Sequence, residues 1–167
     1  MAFYYFDTSA LVKYYVTEPG STWVRQLIEA LNLATGRPSH IILDAEITWV
    51  EVAAGLAVIE RIGRIGRTER NREYGRFLSH LAHRYAIVPL STDDFEKAAA
   101  LTQQYPLKAY DAVQLAAALR SRGVIAAHQF TFVCGDTTLF AAAKAEGLAS
   151  ENPFDHVMPE DTPDRLP

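Results

Sequence analysis

Short apolar runs alternate along the chain with longer amphipathic stretches. Phe3-Tyr4-Tyr5-Phe6 reads as a buried strand, ended by Asp7-Thr8-Ser9. Polar residues directly after an apolar run suit a helix N-cap, so a helix is expected over Ala10 to Val16, broken by Glu18-Pro19-Gly20. Trp23, Val24, Leu27, Ile28 and Leu31 recur at helical spacing and predict a helix over Ser21 to Leu33. Ile41-Ile42-Leu43 is a short strand candidate. From Ala45 to Ile62, the residues Ile47, Val50, Ala54 and Val58 recur at three- and four-residue steps, a helix stopped near Gly63 and Gly66. Thr68 to Tyr85 carries Tyr74, Phe77, Leu78 and Leu81 as the apolar face of another helix.

The second half repeats the scheme. Ala86 to Leu90 is a strand, and Ser91-Thr92-Asp93 caps a helix over Asp94 to Gln104. Ala109 to Arg122 is an Ala/Leu-rich helix, Phe130 to Cys134 a strand, and Asp136 to Glu146 a helix ended by the C′ glycine Gly147. Leu148-Ala149-Ser150 is a last short strand. This alternation predicts an α/β fold: a mainly parallel sheet with helices on both faces. Past Asn152 the character changes, with four of the eight prolines and Asp155, Glu160, Asp161 and Asp164. The expectation is one domain over 1–152 and an acidic, Pro-rich tail, solvated or disordered, over 153–167.

Composition narrows the class. A chain of 167 residues, 49% hydrophobic and 22% charged, is ordinary globular and excludes collagen, coiled coil and full disorder. Sixteen Lys+Arg against twenty Asp+Glu give a net charge of −4, which argues against bulk electrostatic attraction to nucleic acid but leaves room for a local basic patch. Cys134 is the single cysteine, so an intramolecular disulfide and a multi-cysteine zinc site are excluded. No apolar run approaches the ~20 residues of a membrane span. Nor does the N-terminus show a basic segment leading into a long apolar one, so a reducing cytoplasm is the expected compartment.

Four carboxylates occupy positions where surface charge is not expected. Asp7 follows the first strand directly, and Asp136 follows Thr131-Phe132-Val133-Cys134 with one glycine between. Ligands of open parallel sheets bind beyond the carboxyl ends of the strands, so both acids should face one crevice. Glu51 lies four residues after Ile47 and three before Ala54, on the apolar stripe of its helix. Asp111, four residues before Leu115, lies near the start of its helix and also projects toward the packed side. Unpaired charges on a packed face are costly. Each acid either has a cationic partner or shares a cation, and oxygen donors without thiolates suit Mg²⁺ or Mn²⁺. Each also has a plainer reading: Asp7 and Asp136 as helix N-caps, Asp111 as a partner of its helix dipole. Glu51 has none as simple.

The same residues carry a family resemblance. Phe6-Asp7-Thr8-Ser9-Ala10-Leu11-Val12-Lys13 resembles the opening motif of PIN-domain nucleases of the VapC toxin type. Ile47-Thr48-Trp49-Val50-Glu51-Val52 is similar to the second motif, and Leu107 to Leu119, with Asp111 inside it, to the third. Phe132-Val133-Cys134-Gly135-Asp136 and Ala143 to Leu148 resemble the closing segment, although alanine is usual where Gly135 stands and a charged residue is common at Thr137. The resemblance covers residues 3 to about 152. It implies a three-layer α/β/α sandwich and a Mg²⁺- or Mn²⁺-dependent endoribonuclease, the toxin of a type II toxin–antitoxin pair, cytoplasmic, dimeric and silenced by an antitoxin. The family's acids map onto Asp7, Glu51, Asp111 and Asp136, as metal ligands and catalytic groups. Thr8, Ser9 and Thr137 are candidates to hydrogen-bond those carboxylates. A non-catalytic interaction domain of the same fold, a stand-alone nuclease, and a phosphoacceptor or hydrolase on a flavodoxin-like sheet are the competing readings.

Basic residues add one more feature. Arg61, Arg64, Arg67, Arg70, Arg72 and Arg76 fall close together, interleaved with Glu60, Glu69 and Glu73. Arg64, Arg67 and Arg70 are candidates for an RNA phosphate track, against a solvated helix face of Glu–Arg pairs. Lys13 and Lys108 sit beside the acids, placed to contact phosphates or to balance the empty site. His80 and His83 share helical spacing without a third ligand, and no zinc site is expected from them.

Overall fold

The computed structural model describes residues 1–125 and 128–161. Five strands form one parallel sheet: β1 (Ala2–Phe6), β2 (His40–Ala45), β3 (Ala86–Val88), β4 (Phe130–Val133) and β5 (Ser150–Glu151), in the order β3-β2-β1-β4-β5. Among the described residues seven α-helices surround them: α1 (Thr8–Tyr15), α2 (Ser21–Glu29), α3 (Thr48–Arg61), α4 (Arg67–His83), α5 (Thr92–Gln104), α6 (Ala109–Val124) and α7 (Thr137–Ala145).

The pleat sorts the strand residues into two cores. Tyr5, paired with Leu43 on one side and Phe132 on the other, faces the helices α5 to α7. Phe6, Ile42 and Val133 point to the opposite face, against α1 to α4. The result is the expected α/β/α sandwich, with the central strands covered on both faces as a parallel sheet requires. Phe6, Leu56 and Phe77 are fully buried in one layer and Leu115, Phe132 and Leu139 in the other. Each such side chain contributes about 1.5–3 kcal/mol of transfer free energy.

Three expectations are corrected. The helix expected from Ala45 begins at Thr48, because β2 runs on to Ala45. Its buried stripe is Thr48, Val52, Leu56 and Ile59, while Val50, Ala54 and Val58 are exposed. The second helix stops at Glu29, not Leu33, where the Asn32 side chain accepts the amides of Ala34 and Thr35 and closes a turn. The segment after Asn152 is ordered through Asp161, in two 3₁₀ turns, Pro153–His156 and Pro159–Asp161. Its acid is structural. Asp161 is fully buried and accepts the amides of Gly20, Thr22 and Met158 at 2.9, 2.6 and 2.9 Å, capping the start of α2 from the far end of the chain. Gly20 has φ +88°, and a Cβ there would lie 2.2 Å from the Pro153 carbonyl oxygen. His156 stacks on Trp23 with ring centres 4.2 Å apart. The remainder of the expected tail, 162–167, lies outside the described residues.

Candidate active site

The ends of β1 and β4 build the site. Asp7 follows β1 as the N-cap of α1, its Oδ2 accepting the Ser9 amide at 2.9 Å and the Ser9 hydroxyl at 2.5 Å. Ser9 Oγ in turn accepts the Gly135 amide at 2.9 Å, tying the two strand ends together. Asp136 caps α7, its Oδ1 accepting the Thr138 and Leu139 amides at 2.8 Å each. Both acids are therefore true helix caps, and both still face the crevice at the strand ends. Glu51 reaches it from the first turn of α3, and Asp111 from the first turn of α6. All four line one cavity of about 340 Å³, together with Thr8, Ser9 and Tyr110.

Concentrating these carboxylates perturbs them. Asp7 is buried, and desolvation pushes its carboxyl up to about 6, with the charges of Glu51 and Asp111 adding to the rise and the Ser9 hydrogen bonds opposing it. Asp111 is also raised, first by desolvation and then by Asp136, while Lys108 works against the shift.

Glu51 is held rigidly. Its Oε2 accepts from Thr8 Oγ1 and from Gln114 Nε2, both at 2.7 Å. Gln114 is fully buried, donates also to Thr48 Oγ1 at 2.9 Å, and accepts from the Tyr5 hydroxyl at 2.9 Å. Sequence reasoning passed over Gln114. The available signal was the single polar residue in the apolar run Ala112 to Leu119, three positions after Asp111.

The donor set suits a hard cation. Asp7 Oδ2, Glu51 Oε2 and Asp136 Oδ1 are spoken for, and the other oxygen of each accepts no protein hydrogen bond among the described residues. The one thiol nearby, Cys134, is buried and held protonated by desolvation and by the Asp7 charge. Among the described residues, no three carboxylates, imidazoles or thiols stand within ligating reach of one point. The four acids share a cavity and a field without forming a closed cage.

The other candidates divide. Thr8 and Ser9 hydrogen-bond the carboxylates as expected, but Thr137 does not: as the exposed first residue of α7 it lines a separate cavity with Tyr105 and Pro106. Lys108 is exposed beside Asp111. Lys13 is only 1% exposed, with Nζ 3.3 Å from Glu18 Oε2 and 3.8 Å from the centre of the Phe154 ring. Arg64 pairs with Glu18 at 2.6 Å, and Arg67 and Arg70 with Glu60 at 3.5 and 2.8 Å. Arg72 and Arg76 pair with Glu73. His80 Nδ1 shares a hydrogen bond of 2.9 Å with the Tyr15 hydroxyl. An apolar groove lined by Trp49, Leu78, Leu81 and Ile87 opens at the β3 edge and contains none of the four acids.

The order of these elements, with acids at the ends of two adjacent central strands and at the starts of α3 and α6, defines a class. A model of the PIN domain family matches residues 4–144, and the chain belongs to that family, a family of nucleases. Its fold is similar to a toxin–antitoxin complex from Klebsiella pneumoniae at 24% identity and a TM-score of 0.56, covering 92% of this chain and 98% of that one. It is also similar to VapBC2 from Rickettsia felis, bound there to a promoter DNA fragment (16% identity, TM-score 0.59, 90% and 98% covered). VapBC-5 from Mycobacterium tuberculosis is a third (17%, 0.52, 91% and 98%). A comparison with curated proteins finds no match to the chain. No helix among the described residues is long and apolar enough to cross a membrane.

Proposed function

We propose that the chain is a divalent-metal-dependent endoribonuclease, the toxin of a type II toxin–antitoxin pair. The observation that carries this reading is the single cavity at the strand ends lined by Asp7, Glu51, Asp111 and Asp136. Resemblance to toxin–antitoxin structures supports the antitoxin partner, and a homodimeric toxin is part of the same proposal.

Hydrolysis of a phosphodiester forms a bond from water oxygen to phosphorus, breaks the bond to one ester oxygen, and leaves the departing oxygen to take a proton. Asp7, Glu51, Asp111 and Asp136 would hold Mg²⁺ or Mn²⁺, which when bound acidifies water and screens phosphate charge. The protein's own part is positional. Ser9 fixes the Asp7 carboxylate, and Thr8 with Gln114 fixes Glu51, so each presents its remaining oxygen in a set direction. Asp7 must be ionised to ligate, and burial raises its carboxyl to about 6, so metal binding competes with protons as pH falls through that range. A carboxylate of this set accepts the water proton. Lys108, exposed beside Asp111, is placed to meet a substrate phosphate.

The test is cleavage of a mixed-sequence RNA by the purified chain with Mg²⁺ or Mn²⁺, with and without chelator, alongside Asp111→Asn. Chelator-sensitive cutting lost in the variant is the expected result. Chelator-resistant cutting, or an active variant, overturns the metal centre. Expression of the wild type alone should arrest growth and Asp111→Asn should not; harmless expression of an active nuclease overturns the toxin role.

A further inference from the structure

A second cavity, of about 460 Å³, opens beside the acidic one and shares Thr8, Ser9 and Asp136 with it. Its remaining walls have a different chemistry. Val12, Val58 and Ile59 give it an apolar side, and Phe154 stands among the other lining residues, half exposed. At its base lies the buried Lys13, held by Glu18 and covered by the Phe154 ring. Gly135 lines this cavity, and a Cβ there would sit at ordinary contact distance, 3.4 Å from Phe154 Cε2 and Ser9 Oγ and 3.6 Å from Lys13 Cε. Gly135 is also where the sequence departs from the alanine usual in the closing motif. Phe154 lies outside residues 4–144, the part of the chain that matches the family model. It is held in place by Asn152, whose Oδ1 accepts the Phe154 amide at 3.0 Å, and by the Asp161 cap.

This is poor equipment for a phosphate. The lysine charge is answered by Glu18, and beyond Thr8, Ser9 and Asp136 the remaining walls are apolar. It suits a flat aromatic ring with a polar edge: an aromatic face, an aliphatic side, and a donor and an acceptor within the lining. The volume lies within the ~300–1,000 Å³ range of small-ligand sites. Single-stranded RNA is read by splaying unstacked bases onto such surfaces. We propose that this cavity is a base subsite, which takes the nucleobase next to the scissile phosphate against Phe154 and the Val12–Val58 wall, and so sets the base preference of cleavage. The proposal rests on the reading of the acidic cavity as a ribonuclease centre.

The experiment maps cut sites by end sequencing on a mixed-sequence RNA with Mg²⁺, for the full-length wild type, Phe154→Ala, Phe154→Trp and Gly135→Ala, with kcat and KM measured on a short oligoribonucleotide. Phe154→Ala should flatten the base preference next to the cut and raise KM on the order of tenfold, the scale of one stacked base, with a smaller effect on kcat. Phe154→Trp should retain the preference. Gly135→Ala, which adds one methyl at ordinary contact distance, should shift it toward smaller bases. Should Phe154→Ala melt early, the folded Gly135→Ala decides alone. An unchanged cut-site distribution and KM in the folded variants overturns the subsite while leaving the nuclease reading intact. Unchanged cut sites with weakened binding of an antitoxin would assign the cavity to a protein and also overturn it. A wild type that cuts no RNA overturns the underlying reading, and the subsite falls with it.

Discussion

Asp44 offers a measurement that is independent of function. It lies on β2 between Leu43 and Ala45, is fully buried, and neither of its carboxyl oxygens has a hydrogen-bond partner among the described residues. The groups that feel its charge are the hydroxyls of Tyr5, Tyr15 and Tyr85, all neutral at physiological pH. Burial alone therefore pushes its carboxyl from 3.8 up to about 8. The folded state keeps a proton that the unfolded state releases. Stability from this group is complete below about pH 4, falls as pH rises from there, and levels off above about 8. At about 1.4 kcal/mol per pH unit, the difference accumulates to on the order of 5 kcal/mol by pH 8, a large part of the ~5–15 kcal/mol that holds a typical domain folded. Asp44→Asn keeps the shape and removes the ionisation. Urea denaturation of both proteins with chelator, from pH 4.5 to 8, should give a difference in stability that moves steadily in favour of the asparagine variant as pH rises toward 8. Asp7 and Asp111 titrate in the same direction but are common to both proteins and cancel in the difference. The unmet hydrogen bonds of the buried amide add a constant offset. A gap that does not change with pH would refute the reasoning.

Three further outcomes are expected. Asp7→Asn and Asp111→Asn should each lower RNA cleavage at least a hundredfold with near-ultraviolet circular dichroism unchanged, and excess Mg²⁺ should raise the melting temperature of the wild type but much less that of Asp111→Asn; an equal rise in both would show that Asp111 is a structural residue only. Gln114→Leu strands the Tyr5 hydroxyl and leaves Glu51 with one donor, so equilibrium unfolding should show a loss of about 1–3 kcal/mol, and single-turnover cleavage should slow even where the variant is fully folded. Gly20→Ala combines a left-handed φ with a backbone clash at Pro153, so calorimetry should show a melting temperature several degrees lower, from a cost of about 1–3 kcal/mol; an unaffected melt would mean the 153–161 segment is not packed on α2.

What the sequence made legible were features with a local signature. An apolar run followed at once by Asp7, or by Gly135-Asp136, marks a strand end with an acid beyond it, and a parallel sheet brings two such ends together. Glu51 was found for a reason that proved only half right. The apolar residues around it, Val50 and Ala54, line the acidic cavity instead of the core. Hydrophobicity does not distinguish a cavity wall from a packed face, so the stripe was read one or two positions away from Thr48, Val52, Leu56 and Ile59. Asp44 gave no signal because a polar residue within a strand reads as solvent-facing until both faces of the sheet are known to be covered. The 153–161 segment misled through composition. Proline and acid normally mean a solvated tail, and nothing local shows that one acid will meet amides 139 and 141 residues away.

That last bond fixes an order of events during synthesis. The residues of α2 leave the ribosome early, yet the carboxylate that caps them arrives only with residue 161, and Phe154 only shortly before it. Strand β1, in the middle of the sheet, waits likewise for β4. A nascent chain thus carries Asp7 long before it owns Asp136, the Phe154 wall or a closed α2. The acid-lined cavity and the Phe154 wall beside it therefore come together only in a chain that has been made past residue 154.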